Sequence, residues 1–245
     1  MIWNDDVLYI HVPKTGGMSL TEMLEAHLPG TVFSSSPEGH GSGSARVRHV
    51  HGLRHERLHE ARRILARHGR NLDDFAAVIA VIRNPYDLEV SRFFHITTHF
   101  MDQKIHNTEL IRKFGFEAFF DQSNFYGLNP PAIHQFYTDR RRTLTNMRLL
   151  RYEHLALDIE RTVFPYLGGA RPQLPHVNAT RRIPWQDMMT EAVEVSIYDR
   201  FHWIFAQGLY PRYQPSRFPT RKEVEERIAA LSRPDAGASA EANPQ

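Results

Sequence analysis

The stretch Leu8–Leu20, LYIHVPKTGGMSL, decides how the rest of the chain is read. The apolar run from Val7 to Val12 has the length and β-branched content of a buried strand. It opens into Pro13-Lys14-Thr15-Gly16-Gly17, and beyond the glycines Leu20, Met23, Leu24 and Leu28 recur at helical spacing. Strand, glycine loop and helix in this order make an anion cradle. The glycines let the backbone approach a ligand, and the helix start offers unpaired N–H groups at the positive end of its dipole. Thr15 and Ser19 can add hydroxyl donors. The loop is not a Walker A sequence, in which lysine follows the glycines; here Lys14 precedes them. Taken alone, these residues leave a second reading open, a plain strand-to-helix turn whose glycines serve packing.

Further along, AAVIAVI (Ala76–Ile82) is a second buried strand, and MRLLRYEHL (Met147–Leu155) reads as a third that passes into a helix over Asp158–Leu167. Strands alternating with helices predict a parallel sheet flanked by helices, with ligands at the carboxyl ends of the strands. Both Lys14 and Arg83 stand at such ends. Arg83 opens RNPYDLEVSRFF, where Asn84 can cap and Pro85 suits the first turn of a helix that carries Ser91. An arginine and a hydroxyl so placed suit a second phosphate, although an arginine paired with a neighbouring carboxylate would look the same. From Pro85 to about Arg142 the chain reads as mostly helical. Trp185 to Tyr210 reads as one amphipathic helix, and Thr220–Glu223 is a capping box. Residues 1–231 read as one domain, and 232–245 as a disordered tail rich in proline, alanine and glycine.

Composition narrows the classes. The chain has 245 residues and a formal charge of +2, near neutrality, which argues against a polyanion-coating protein and against nucleic acid as a partner. Only Lys14, Lys104, Lys113 and Lys222 are lysines, leaving 26 arginines. Arginine suits bidentate recognition of phosphate, and biased base composition would enrich it as well. The absence of cysteine removes thiolate nucleophiles, disulfides and Cys-based zinc sites. The opening residues lack a signal-peptide layout and no apolar run approaches the roughly 20 residues of a membrane span, so a cytoplasmic location is expected.

HVPKTGGMS resembles the 5′-phosphosulfate-binding loop of sulfotransferases that use 3′-phosphoadenosine 5′-phosphosulfate (PAPS), and VIRNPYDLEVSRFF resembles their 3′-phosphate-binding segment. The likeness is to the branch that holds carbohydrate O-sulfotransferases and bacterial relatives. It continues through LLRYEHLALDIERTVFPYLG, the late loop LPHVNATRR and the ending YDRFHWIFAQGLYP, covering about Val7 to Tyr213. The resemblance implies an α/β, three-layer, P-loop-like sulfotransferase fold with a short central parallel sheet flanked by helices. It implies transfer of a sulfonate from PAPS to an acceptor hydroxyl, expected on a glycan or glycoconjugate, without a metal. Lys14 would stabilise the leaving group, and the backbone of Thr15, Gly16, Gly17, Met18 and Ser19 would cradle the 5′-phosphate. Arg83 and Ser91 would hold the 3′-phosphate, with Thr180, Arg181 and Arg182 closing from the late loop.

The relatives also carry a histidine base in the interval occupied here by RHVHGLRHERLHEARR. This chain reads His51-Gly52-Leu53, without a second histidine after the glycine. His51 is favoured for its glycine neighbour, with His55 close behind. His51, His55 and His59 also have the spacing of metal ligands on one helical face, with no carboxylate or cysteine placed to complete a shell. Two other functions compete: a nucleotide- or glycan-binding module that kept the cradle without turnover, and a P-loop-type phosphotransferase. The latter lacks a Walker A lysine and an evident acid for Mg²⁺.

Overall fold

The computed structural model describes residues 1–35, 45–101, 108–122, 130–139, 142–174 and 182–231. In chain order the elements are β1 (Ile2–Trp3), β2 (Val7–Ile10), α1 (Gly17–His27), β3 (Val32–Ser34), β4 (Val47–His49), α2 (Leu58–Arg67), β5 (Ala77–Ile82) and α3 (Pro85–His99). There follow α4 (Thr108–Phe114), α5 (Phe116–Gln122), β6 (Thr138–Asp139), β7 (Arg142–Thr143), β8 (Met147–Arg151), α6 (Leu155–Thr162), α7 (Glu191–Arg200), α8 (His202–Ala206) and α9 (Arg221–Leu231). The chain divides into two compact units, one of residues 1–84 and 125–179, the other of 85–124 and 180–245.

The first unit holds a six-stranded sheet of order β4-β3-β1-β2-β5-β8. The three strands expected from sequence form its parallel core: β2 pairs with β5 and β5 with β8, with Tyr9 opposite Ile79 and Ile82 opposite Arg151. The sheet is mixed rather than wholly parallel, because β1 runs antiparallel to both β2 and β3. A turn at Asn4, whose Oδ1 accepts from the backbone N–H of Asp6 and Val7, folds β1 back onto β2. Two-residue β1 is too short to show a period in sequence.

All six residues of β5 are buried, so both faces of the sheet are covered. On one face Val7, Tyr9, Ala77, Ile79, Val81 and Leu150 meet Leu20, Met23, Leu24 and Leu28 of the α1 segment and Leu155 and Ile159 of α6. The stripe read after the glycines is therefore the seam that fastens α1 to the sheet. Each such aliphatic side chain contributes about 1.5–3 kcal/mol by leaving water. Leu58, Ala61, Ile64 and Leu65 are likewise the buried stripe of α2.

The second unit is helical. The Tyr86 hydroxyl donates to Glu194 (2.6 Å), which also accepts from Arg212. Glu89 accepts from both Arg92 and Arg200, all three buried. The single helix expected from Trp185 to Tyr210 is instead a 3₁₀ turn (Trp185–Met188) followed by α7 and α8. Thr190 causes the first break, its hydroxyl accepting the Val193 N–H as an N-cap. The mostly helical reading to Arg142 also yields, since β6 and β7 pair antiparallel there. The capping box is present, with the Glu223 carboxylate accepting the Thr220 N–H at 2.7 Å and the Thr220 hydroxyl accepting from the Glu223 N–H. Among the described residues no helix is long and apolar enough to cross a membrane. The expected tail at 232–245 lies outside the described residues.

Candidate functional site

The loop between β2 and α1 is built by close approaches. Lys14 adopts a left-handed backbone (φ 62°), the one non-glycine residue to do so among those described, at a cost on the order of 1 kcal/mol. Gly16 stands at the N-cap of α1 in the same region (φ 77°) and offers no side chain to cap the helix. The hydroxyl of wholly buried Thr15 donates to the Val12 carbonyl (2.9 Å), which braces the loop from within. Ser19 is buried on the first turn of α1.

Gly17 is required by a contact the sequence does not announce. A Cβ there would stand 2.0 Å from Nε2 of His11. The His11 ring is buried beneath the start of α1, its Nδ1 3.4 Å from the Thr21 hydroxyl. His11 was absent from the candidates read from sequence. Its signal was available: it is the residue that directly precedes Val-Pro-Lys at the end of the strand run.

His55 leans on the same loop. Its Nδ1 lies 3.0 Å from the His11 carbonyl oxygen, and the two rings meet edge to face with centroids 4.6 Å apart. A carbonyl only accepts, so Nδ1 of His55 carries the proton and Nε2 the lone pair. Burial lowers the His55 pKa to about 4, opposed by the bond to the His11 carbonyl and aided by the nearby Arg54 charge. Burial likewise holds His11 well below the usual imidazole range, with His55 adding to the effect. Both imidazoles are thus neutral at pH 7.

The turn that carries His55 is braced by Glu56. This buried carboxylate accepts from the Leu53 N–H, the Ser35 hydroxyl (2.8 Å) and the Met1 amine (2.8 Å). His51 is exposed in the bend before it. Only His59 of the three evenly spaced histidines lies in α2, so they do not share a helical face. Among the described residues no group of three or more His, Asp or Glu side chains could hold a metal ion.

Arg83 leaves β5 and is 4% exposed. Its Nη1 donates to the Lys14 carbonyl at 2.6 Å, and its guanidinium lies over the Tyr152 ring, 4.0 Å from the centroid. Tyr152 in turn packs on Gly16, where a Cβ would meet its ring at 3.1 Å. Arg83 therefore ties the second strand end to the backbone of the first. Lys14, Thr15, Gly16, Gly17, Met18, Ser19, His55 and Arg83 all belong to the first unit. Ser91, half-buried on α3, and Arg182, paired with Asp87, belong to the second. Thr180 and Arg181 lie outside the described residues.

The loop lies at the carboxyl ends of the parallel strands β2, β5 and β8 of a mixed sheet, an α/β arrangement of strand, glycine loop and helix. The comparison with known families is more specific. A model of the sulfotransferase domain matches residues 4–164, about two thirds of the chain, and the protein belongs to that family. Membership makes it a transferase of sulfonate groups. The match spans the Lys14 loop, His51, His55, Arg83 and Ser91, and ends before the late loop at Leu174–Arg182. No curated protein matches the chain.

Proposed function

We propose that the protein moves a sulfonate group from PAPS to an acceptor hydroxyl, on a carbohydrate of the kind used by the O-sulfotransferase branch, and releases adenosine 3′,5′-bisphosphate. The observation that carries this reading is the placement of His55, a neutral imidazole with its lone pair on Nε2, against the Pro-Lys-Thr-Gly-Gly cradle. The loop and first turn of α1, from Thr15 to Ser19, hold the 5′-phosphate through backbone N–H groups. Arg83 and Ser91 hold the 3′-phosphate, and Thr180, Arg181 and Arg182 serve the nucleotide as the family resemblance implies.

Transfer of this type is largely positioning and charge stabilisation along an in-line path. The acceptor oxygen forms the new bond to sulfur as its proton passes to Nε2 of His55, and the bond from sulfur to the bridging oxygen breaks. Lys14, at the strand end, meets the negative charge that builds on that leaving oxygen. A resting pKa of about 4 keeps His55 unprotonated at neutral pH. The charge of a bound polyanion favours the imidazolium form and so strengthens the base in the loaded enzyme. We assign the base role to His55 over His51, which is exposed.

The test is a calorimetric titration with adenosine 3′,5′-bisphosphate, with adenosine 5′-monophosphate as control. The expected result is at least about a tenfold preference for the 3′-phosphorylated ligand, lost in Arg83→Ala, as for removal of a charge-assisted contact. Equal affinity for the two nucleotides would overturn the donor assignment.

A further inference from the structure

Arg54 stands one residue before His55 in the same turn, half-buried, and its Nη1 lies 3.3 Å from the Met18 sulfur on the first turn of α1. A thioether is a weak acceptor and does not itself compensate the guanidinium charge. Nearby carboxylates are otherwise engaged: Glu56 with the Met1 amine, Ser35 and Leu53, and Glu60 with Arg57. Among the described residues none lies within ion-pair distance of Arg54. Its charge nonetheless reaches both imidazoles of the loop, lowering their pKa. Arg54 and His55 thus grip the two sides of the cradle, one at Met18 after the glycines and the other at the His11 carbonyl before them.

A half-buried guanidinium without a carboxylate suffers desolvation that an oxyanion ligand would offset, and its planar fork matches such a ligand. We propose that Arg54 binds an oxyanion other than the phosphates of the nucleotide, a sulfonate or carboxylate seated beside the His55 imidazole. Two sources share this chemistry: the sulfonate of the donor and an acidic group on the acceptor. The proposal rests on the sulfotransferase reading above, and its test separates the two.

Full-length protein saturated with adenosine 3′,5′-bisphosphate is titrated with inorganic sulfate at constant ionic strength. Wild type is expected to bind one further sulfate. Arg54→Met should weaken that binding by at least about tenfold while nucleotide affinity stays within about twofold, and Arg54→Lys should fall between. Repeating the titration with PAPS in place of the bisphosphate distinguishes the sources. Exclusion of sulfate assigns Arg54 to the donor's sulfonate, and continued binding assigns it to an acidic acceptor group. The proposal is overturned if loaded wild type takes up no sulfate, if Arg54→Met binds it equally, or if Arg54→Met loses the nucleotide as well. Thermal melts of both variants verify folding, and Arg54→Lys decides the matter should Arg54→Met unfold. Failure of wild type to bind the bisphosphate would sink the sulfotransferase reading instead, and sulfate titration of unliganded wild type and variants would still judge Arg54.

Discussion

Nδ1 of His55 sits 3.0 Å from the backbone carbonyl of His11, so one histidine's main chain sets the tautomer of the other's side chain. Because that carbonyl belongs to the loop after β2, a shift of the loop would also disturb the His55 ring. This coupling makes His55 the residue whose removal should be most informative.

His55→Gln is expected to lower turnover by about 10²–10⁴, the usual worth of a general base. Affinity for adenosine 3′,5′-bisphosphate should stay within about twofold, and His51→Gln should remain within about threefold of wild-type activity. Sulfonate transfer from labelled PAPS, alongside calorimetry, reads both quantities. An inactive His51→Gln beside an active His55→Gln would reverse the assignment.

The depressed pKa of His55 also predicts a stability profile. Between its folded pKa of about 4 and the unfolded value of 6.5 the unfolded chain binds more protons. Stability is therefore complete above pH 6.5 and falls with pH, by on the order of 3 kcal/mol as pH reaches the folded pKa. Burial of His11 adds to the same trend. Melting temperatures measured from pH 4 to 8 should show a shallower acid limb in His55→Gln; parallel limbs would contradict the burial argument.

Gly17→Ala would drive a methyl group into the His11 ring. Overpacking of this kind costs about 1–3 kcal/mol. His11→Ala in the same chain should recover most of the loss, giving a coupling of at least about 1 kcal/mol in a double-mutant cycle of urea unfolding. Additive single effects would mean that Gly17 matters for another reason.

Lys14 combines an unfavourable backbone with the charge assigned to the leaving group. Lys14→Gly should be more stable than Lys14→Ala by about 1 kcal/mol, since glycine adopts positive φ without a Cβ clash. Neither should turn over PAPS. Activity in either variant would remove Lys14 from the chemistry, whatever the order of their melting temperatures.

Much of this molecule was legible in its residues. The apolar runs ending at Val12 and Ile82 are inner strands saturated with buried side chains, the run ending at Arg151 is the edge strand beside them, and the stripe Leu20-Met23-Leu24-Leu28 is the seam that holds α1. The glycines before that stripe marked the turn from strand to helix, where Gly16 supplies a positive φ and Gly17 leaves room for the His11 ring. Other features depended on contacts across the chain. Antiparallel β1 is too short for periodicity, and the long helix expected after Trp185 broke at Thr190 because a hydroxyl cap outweighed amphipathic continuity.

The histidines show the division most clearly. Sequence reading favoured His51 for its glycine neighbour over His55 and passed over His11, because exposure, tautomer and pKa are properties of surroundings, and residues 11 and 55 are far apart until the strand and turn pack together. Residue types and their order determined a strand, a glycine loop and a helix with lysine and arginine at the strand ends. The tertiary structure decided that Arg83 grips the Lys14 carbonyl, that His11 fills the space beneath Gly17, and that His55 leans on the loop while His51 faces water. Local pattern encodes backbone conformation and burial, whereas charge and hydrogen bonding at a site depend on which distant groups the fold brings within about 3 Å.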